Sequence, residues 1–370
     1  MKVWEVVKGA ALAGAAVAAT LAAPSAFAQQ YSVWLVENSR FMNVPYGAFM
    51  PDRAFVPGST SKFNNINLID IPVNVGVIKG MVNGKLEVIL ADCGWKQTDY
   101  HKMTGTQHWN PLPEQLKELG ITADQVTKIV VGHGHWDHAG SLSDFPNAVL
   151  YIQRKELEGI EWALNYPEPH IRADNIAGCN RTPACGYPPK TLDEIYGKVL
   201  KQKAMIVDGE MEILPGIKIH PAWHSHTAGA QLLEVRTGGS VGTLVFGSDT
   251  YSSWQGIRDW MVANIQSSTD SAQQFLAYEK CYKLTNNNMN NCIAAHEPTS
   301  YTKDYPITSN SWEGSKGRMA EITLAPGESS KKAQSTGGAQ PTGSKVKSTG
   351  AAGADEPGRS GDPASAEKQK

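Results

Sequence analysis

The decapeptide Val131-Gly-His-Gly-His-Trp-Asp-His-Ala-Gly140 limits what this chain can fold into more than any other stretch. It places the imidazoles of His133, His135 and His138 and the carboxylate of Asp137 within six residues. The run Lys128-Ile-Val-Val131 reads as a strand leading straight into it. Such groups at the end of a buried strand are costly unless they are paired or bind metal. Alternation after a strand turns His133 and His135 the same way, toward one ion. Asp137 and His138 follow at the turn and can face a second, adjacent ion. Imidazole and carboxylate donors suit zinc. The spacing is too specific for a run of solvated loop histidines.

The chain has 370 residues and a formal net charge of −2. That length allows one large domain or two ordinary ones. With no broad basic excess, nothing asks for a nucleic-acid partner. Residues 1–28 read as a secretory signal peptide. Lys2 and Lys8 precede an apolar run from Gly9 to Ala23, and Ala26-Phe-Ala28 gives a small-x-small cleavage site after Ala28. The run is short for a membrane span. A periplasmic or secreted protein with no membrane association after cleavage is the expectation.

Cysteine usage agrees with export. Cys179 and Cys185 bracket a short loop, and Cys281 and Cys292 bracket an Asn-rich segment. Two local disulfides are expected in an oxidising compartment, although sequence alone does not derive the connectivity. Cys93 remains as a buried free thiol. There is no Cys-x-x-Cys pair, which disfavours a four-thiolate zinc site.

Residues 29–60 are aromatic, rich in proline and without a clear period, and read as an N-terminal arm packed on the domain or as a lid over a pocket. Strands are expected over 65–78 and 85–91, joined at Asn83-Gly84. The second ends in Ala91-Asp-Cys-Gly94, where Asp92 is either a support for a site or an ordinary turn residue. Helices are expected over 111–119, 154–162 and 268–284. Residues 163–200, rich in Pro and Gly, read as a loop insertion. From 327 to 370 the chain is dominated by Ser, Gly, Lys, Ala and Pro and reads as a disordered tail. The main domain therefore spans 61–326.

In the second half, His226, Asp249 and His296 each follow a short apolar strand. Two halves that both present ligands at strand ends can build one dinuclear site between them. His224 competes with His226 as a ligand. His220 reads as structural, and His101, His108 and His170 read as surface residues.

This pattern resembles the metallo-β-lactamase superfamily. The motifs are Asp92 after a strand, the His-x-His-x-Asp-His cluster, His226 before Thr227-Ala-Gly229, Asp249 after Phe246-Gly-Ser, and a final His296. Within it the chain is most similar to the N-acyl homoserine lactonase branch. That likeness rests on Phe145-Pro-Asn-Ala148, Gln153-Arg-Lys-Glu156, Asp208-Gly-Glu210 and Ile213-Leu-Pro-Gly-Ile-Lys218, and the resemblance runs from Ile66 to Pro298. It implies an α/β fold, the αβ/βα sandwich of two mixed sheets packed between helices.

Carried over position by position, the resemblance gives His133, His135 and His226 to one zinc and Asp137, His138 and His296 to the other. Asp249 bridges them, Asp92 orients a ligand, and other divalent metals could replace zinc. The lactonase branch often has a Tyr three residues past the bridging Asp, at the substrate carbonyl. Here Ser252 stands there, and Tyr251 is the nearest phenol.

The function expected is hydrolysis of a lactone, or of a related ester, by metal-bridged hydroxide, with Asp137 and Tyr251 as catalytic candidates. Same-site alternatives are a β-lactamase and a xenobiotic ester or ether hydrolase; a di-iron redox protein is a more distant one. The partner expected is a small molecule.

Overall fold

The computed structural model describes residues 31–45, 68–96, 106–165, 175–176, 179–180, 186–251, 253–262, 269–302 and 304–324. The signal segment, the tail, Cys185, His101, His170 and Ser252 lie outside these residues.

The chain begins with β1 (Tyr31–Pro45), β2 (Leu68–Val82) and β3 (Lys85–Ala91), then the short β4 (Thr106–Gln107) and helix α1 (Leu112–Glu118). Next come β5 (Lys128–Val130), a single-turn helix α2 (Trp136–Ala139), β6 (Val149–Gln153) and α3 (Arg154–Leu164). The two-residue strands β7 (Asn175–Ile176) and β8 (Cys179–Asn180), α4 (Pro189–Leu200) and β9 (Ala204–Val207) follow. The second sheet is built by β10 (Met211–Leu214), β11 (Ile217–Pro221), β12 (Gln231–Arg236), β13 (Thr243–Phe246) and β14 (Cys292–Ile293). Between its last two strands lie α5 (Trp254–Arg258) and α6 (Ser271–Leu284). Finally β15 (Ser311–Gly314) and β16 (Gly317–Glu321) return to the first sheet.

The first sheet runs β15-β16-β1-β2-β3-β5-β6-β9, with β4 paired to β1. It is antiparallel through β3 and parallel from β3 to β9. The second sheet runs β10-β11-β12-β13-β14, with its last pair parallel. This is a mixed-sheet α/β architecture, as the motifs implied.

Strand β3 shows why its second half, Val88–Ala91, is apolar without alternation. Val88 and Leu90 face a core shared with Leu116 of α1, Ile160 of α3 and Ile195 of α4. Ile89 and Ala91 face a second core with Ile217, Leu233 and Phe246 of the other sheet. A strand buried on both faces reads as a continuous apolar run. Each such leucine or isoleucine contributes about 2 kcal/mol of burial. A third core lies between the second sheet and α6, where Leu232 and Val245 meet Ala277, Tyr278 and Cys281.

Two expectations need correction. The supposed arm is not peripheral over residues 31–45. It forms β1, hydrogen-bonded to β2 on one side and β16 on the other. Register shifts at Glu37/Ser39 and Phe41/Val44 break the period that would have marked it as a strand. The 163–200 insertion is likewise not a loop throughout. Residues 189–200 form α4, entered by Pro189 in its first turn, with Ile195 fully buried.

The cysteine expectations divide. Cys281 of α6 and Cys292 of β14 form a disulfide. Cys93 is a buried free thiol, its pKa pushed upward by burial. The Cys179–Cys185 pairing falls outside the described residues. Among the described residues, no helix is long and apolar enough to cross a membrane.

Candidate metal centre

The site lies where strands stop. Asp92 follows β3, and His133 to His138 follow β5 and run into α2. His226 sits between β11 and β12, Asp249 follows β13, and His296 follows β14. Burial of the strands on both faces fixes these ends rigidly and keeps the polar groups between the two sheets.

Two clusters of ligand atoms result. His133, His135, His226 and Asp249 offer one set, with its ligand atoms all within 4.8 Å of one another. Asp137, His138, Asp249 and His296 offer a second on the same criterion. Asp249 divides its carboxylate between them. Oδ2 lies 3.4 Å from His226 Nε2 and 3.9 Å from His133 Nε2. Oδ1 lies 3.1 Å from His138 Nε2 and 2.9 Å from His296 Nε2. Asp137 Oδ2 completes the second set, 3.3 Å from His138 Nε2 and 3.4 Å from His296 Nε2.

The donor chemistry fits a pair of divalent cations. Among the described residues, Nε2 of His133 and of His138 are buried and, beyond those carboxylate contacts, have no hydrogen-bond partner, although both rings are otherwise held in place. A buried imidazole nitrogen left in that condition is expected of a metal ligand. All seven residues assigned to metal from the sequence are thus brought together.

The charge states of the two sets differ. Burial, then the charges of the neighbouring imidazoles, pushes the His133 pKa well down and that of His135 down to about 3. His138 and His296 are raised despite burial, the latter to about 10, by Asp137 and Asp249. Both carboxylates are correspondingly lowered, against burial, by the imidazoles around them.

Outer partners orient the ligands. Asp92 Oδ2 lies 2.9 Å from His138 Nδ1, while its Oδ1 accepts the Gly132 N–H at 2.6 Å. This is the supporting role expected of Asp92, held at a left-handed φ of 61°. His296 Nδ1 donates to the Pro72 carbonyl at 2.7 Å. Three further residues went unassigned in the sequence. Ser248 Oγ lies 3.1 Å from His133 Nδ1 and 3.0 Å from His138 Nδ1.

Glu156, fully buried, accepts from Gly134 N at 2.7 Å and the Tyr187 hydroxyl at 2.9 Å through Oε1. Through Oε2 it accepts from Thr227 Oγ1 at 2.6 Å and Gly229 N at 2.9 Å. Tyr187 itself packs edge-on to His135, ring centroids 4.9 Å apart. The preceding Gly186 comes so near that a side chain there would overlap the His135 ring. Glu156 gave no such signal as Asp92, because it lies inside a helix, three residues past the strand end, rather than directly at it. Tyr187 had none, because it lies in the irregular segment.

Tyr251 is not at the centre. Its ring is fully buried among Ile257, Ala277 and Tyr278, and its hydroxyl donates to the Ala277 carbonyl at 3.2 Å. The single turn Ser248–Tyr251 that swings Asp249 toward the histidines sends Tyr251 toward α6. His224 is exposed and outside both sets, and His226 is the one of the two that stands in a ligand set. His220 is structural, held between Glu210 and Glu234 at 3.0 and 2.7 Å. His108 is exposed.

Comparison with known proteins agrees with this geometry. The metallo-beta-lactamase superfamily model matches residues 68–234. An N-acyl homoserine lactonase of Bacillus cereus is 25% identical over 212 residues, 54% of this chain and 71% of that protein. AttM, an N-acyl homoserine lactonase of Azorhizobium caulinodans, is 46% identical over only 44 residues, 12% of this chain and 17% of its own length.

Among solved structures, a probable metal-dependent hydrolase from Staphylococcus aureus superposes with a TM-score of 0.54 at 15% identity, covering 75% of this chain and 94% of that one. AbOPH, a hydrolase in the beta lactamase superfamily, gives 0.53 at 17% identity, covering 80% and 94%. A B. thuringiensis AiiA variant with N-decanoyl-L-homoserine bound gives 0.50 at 17% identity, covering 73% and 94%. At these identities the structural matches speak for the fold.

Proposed function

We propose that this metal-dependent hydrolase of metallo-β-lactamase fold opens a lactone of the N-acyl homoserine lactone type, or cleaves a related ester, at a pair of zinc ions. The observation that carries the reading is the division of Asp249, one oxygen toward each ligand set. The lactonase relative that this chain matches over 71% of its length supports the substrate class.

His133, His135, His226 and Asp249 Oδ2 would hold one ion, and Asp137, His138, His296 and Asp249 Oδ1 the other. Zinc bound there supplies an acidified water and polarises the substrate carbonyl. Asp137 has a second task. Its carboxylate would take up the proton that the attacking water loses as its oxygen bonds to the substrate carbonyl carbon. It would then return that proton to the alkoxide released when the ring C–O bond breaks. Phe41 packs edge-on to Trp136 and His296, at centroid distances of 5.5 and 5.8 Å. This aromatic edge lines the second ligand set and suits an apolar acyl group.

A pH-stat panel of homoserine lactones, γ- and δ-lactones, aryl esters and β-lactams tests the reading. Acid release from a lactone is expected, and it is lost in His133→Ala and Asp249→Ala together with bound metal. Release from β-lactams alone would overturn the substrate class; full activity in either variant would overturn the site. The Cys281–Cys292 disulfide supports placing this activity in the periplasm or outside the cell. A mature chain beginning at Gln29 is expected on N-terminal sequencing, and an intact Met1 in the cytosolic fraction would refute that location.

A further inference from the structure

We infer that Ser248 is a positioning residue that holds one imidazole from each ligand set on a single oxygen and so fixes the spacing between the two sets. The inference rests on the two-ion reading above.

Its Oγ lies 3.1 Å from His133 Nδ1 and 3.0 Å from His138 Nδ1. Once Nε2 of each ring is directed at an ion, each Nδ1 carries the proton and must donate. A serine oxygen has two lone pairs and can accept both. For His138 the bond is shared, because Asp92 Oδ2 stands 2.9 Å from the same nitrogen. The hydroxyl proton of Ser248 remains for the small cavity lined by Asp92, Gln231, Phe246 and Ser248 itself.

The backbone is built to put this hydroxyl there. Ser248 has a left-handed φ of 49°, a conformation disfavoured for a residue with a Cβ. Facing it is Gly132, immediately before His133. A Cβ at that position would overlap the Ser248 Cβ. The motif glycine and the strained serine therefore make room for one another. Ser248 also directly precedes Asp249, the carboxylate that both sets share. One short segment thus supports both sets from two sides, through the serine oxygen behind the rings and the aspartate in front of them.

The test uses the full chain, stripped with a chelator and titrated with Zn²⁺ against a chromophoric competitor. Two bound equivalents in the unaltered protein are required by the two-ion reading; fewer would defeat that reading before Ser248 is at issue. Ser248→Ala keeps the Cβ and the strain and removes only the oxygen. It is expected to weaken one equivalent ~10–100-fold and the other by less, because His138 retains Asp92.

In the zinc-loaded protein labelled with ¹⁵N-histidine, the exchange-resistant ring N–H resonances of His133 and His138 should move together, while that of His296 stays. Ser248→Gly relieves the φ strain and should reproduce both effects in a metal-free chain that melts no lower than the original. Unchanged zinc affinity in Ser248→Ala, resonances left in place, or a metal loss that only follows a collapse of metal-free stability in both variants would overturn the inference.

Discussion

Apart from Ser248, which touches one ring of each set, the His133–His135–His226 set is steadied through its backbone, whereas the Asp137–His138–His296 set is steadied through its rings. Glu156 reaches no ligand side chain. It grips Gly134 between two of the histidines, then Thr227 and Gly229 just beyond the third. Asp92 and the Pro72 carbonyl instead touch the imidazoles of His138 and His296 themselves. The reason lies in where the ligands come from. Two ligands of the first set are separated by one residue and the third arrives from the other sheet, so a single carboxylate buried between those loops can hold all three. The second set joins a helical turn to the end of β14, which leaves no common backbone to grip. Loop geometry therefore governs the first set, and ring orientation governs the second.

Paired substitutions should separate these modes. Glu156→Gln has the largest expected effect. The new amide would turn an NH2 group toward donors that now meet an oxygen, on one side or the other. Buried donors left unsatisfied cost about 1–3 kcal/mol each, so the metal-free chain should lose about 3 kcal/mol in denaturant unfolding. Zinc affinity of one equivalent should fall with it. Asp92→Asn should act on metal and spare the fold. Asparagine tolerates the left-handed φ and can still accept from Gly132 N. Its expected signature is a ~10–100-fold loss at one equivalent, with metal-free stability nearly unchanged. If both variants lost stability and metal in the same proportion, the distinction between the two sets would fail.

The sequence makes one kind of information plain and hides another. His133, His135, Asp137 and His138 announce themselves by spacing, and His226, Asp249 and His296 by their position after apolar strands. The uninterrupted apolar runs Val88–Ala91 and Ile129–Val131 already carried the two-sided burial that defines the layers. Strand β1 was hidden because its bulges destroy the period-two pattern on which strand reading depends. Helix α4 was hidden by two prolines at its entry, which read as loop until the residues after them are seen to pack. Glu156 and Ser248 were hidden because hydrogen bonds to backbone and ring nitrogens leave no spacing rule in the chain. Tyr251 failed for a related reason. A count of residues past Asp249 does not place it, because the direction of a side chain in a single 3-10 turn changes by about 120° with each residue.

That last misplacement gives the smallest and most specific effect. Among the described residues Tyr251 OH bonds only the Ala277 carbonyl, inside α6, and that carbonyl has the helix's own N–H of Cys281 as its regular partner. Removing the hydroxyl in Tyr251→Phe deletes one neutral hydrogen bond and leaves no donor stranded, so stability should fall by about 1 kcal/mol or less. The ring stays in its core against Tyr278, at a centroid distance of 5.8 Å. Neither ligand set touches this phenol, so zinc stoichiometry, both affinities and kcat for the proposed lactone opening should be those of the unaltered protein. A tenfold fall in kcat at unchanged stability would mean that the turn after Asp249 rearranges on binding substrate and brings the phenol to the carbonyl. The contrast between the two ligand sets would then have to include a third, mobile contributor anchored in α6.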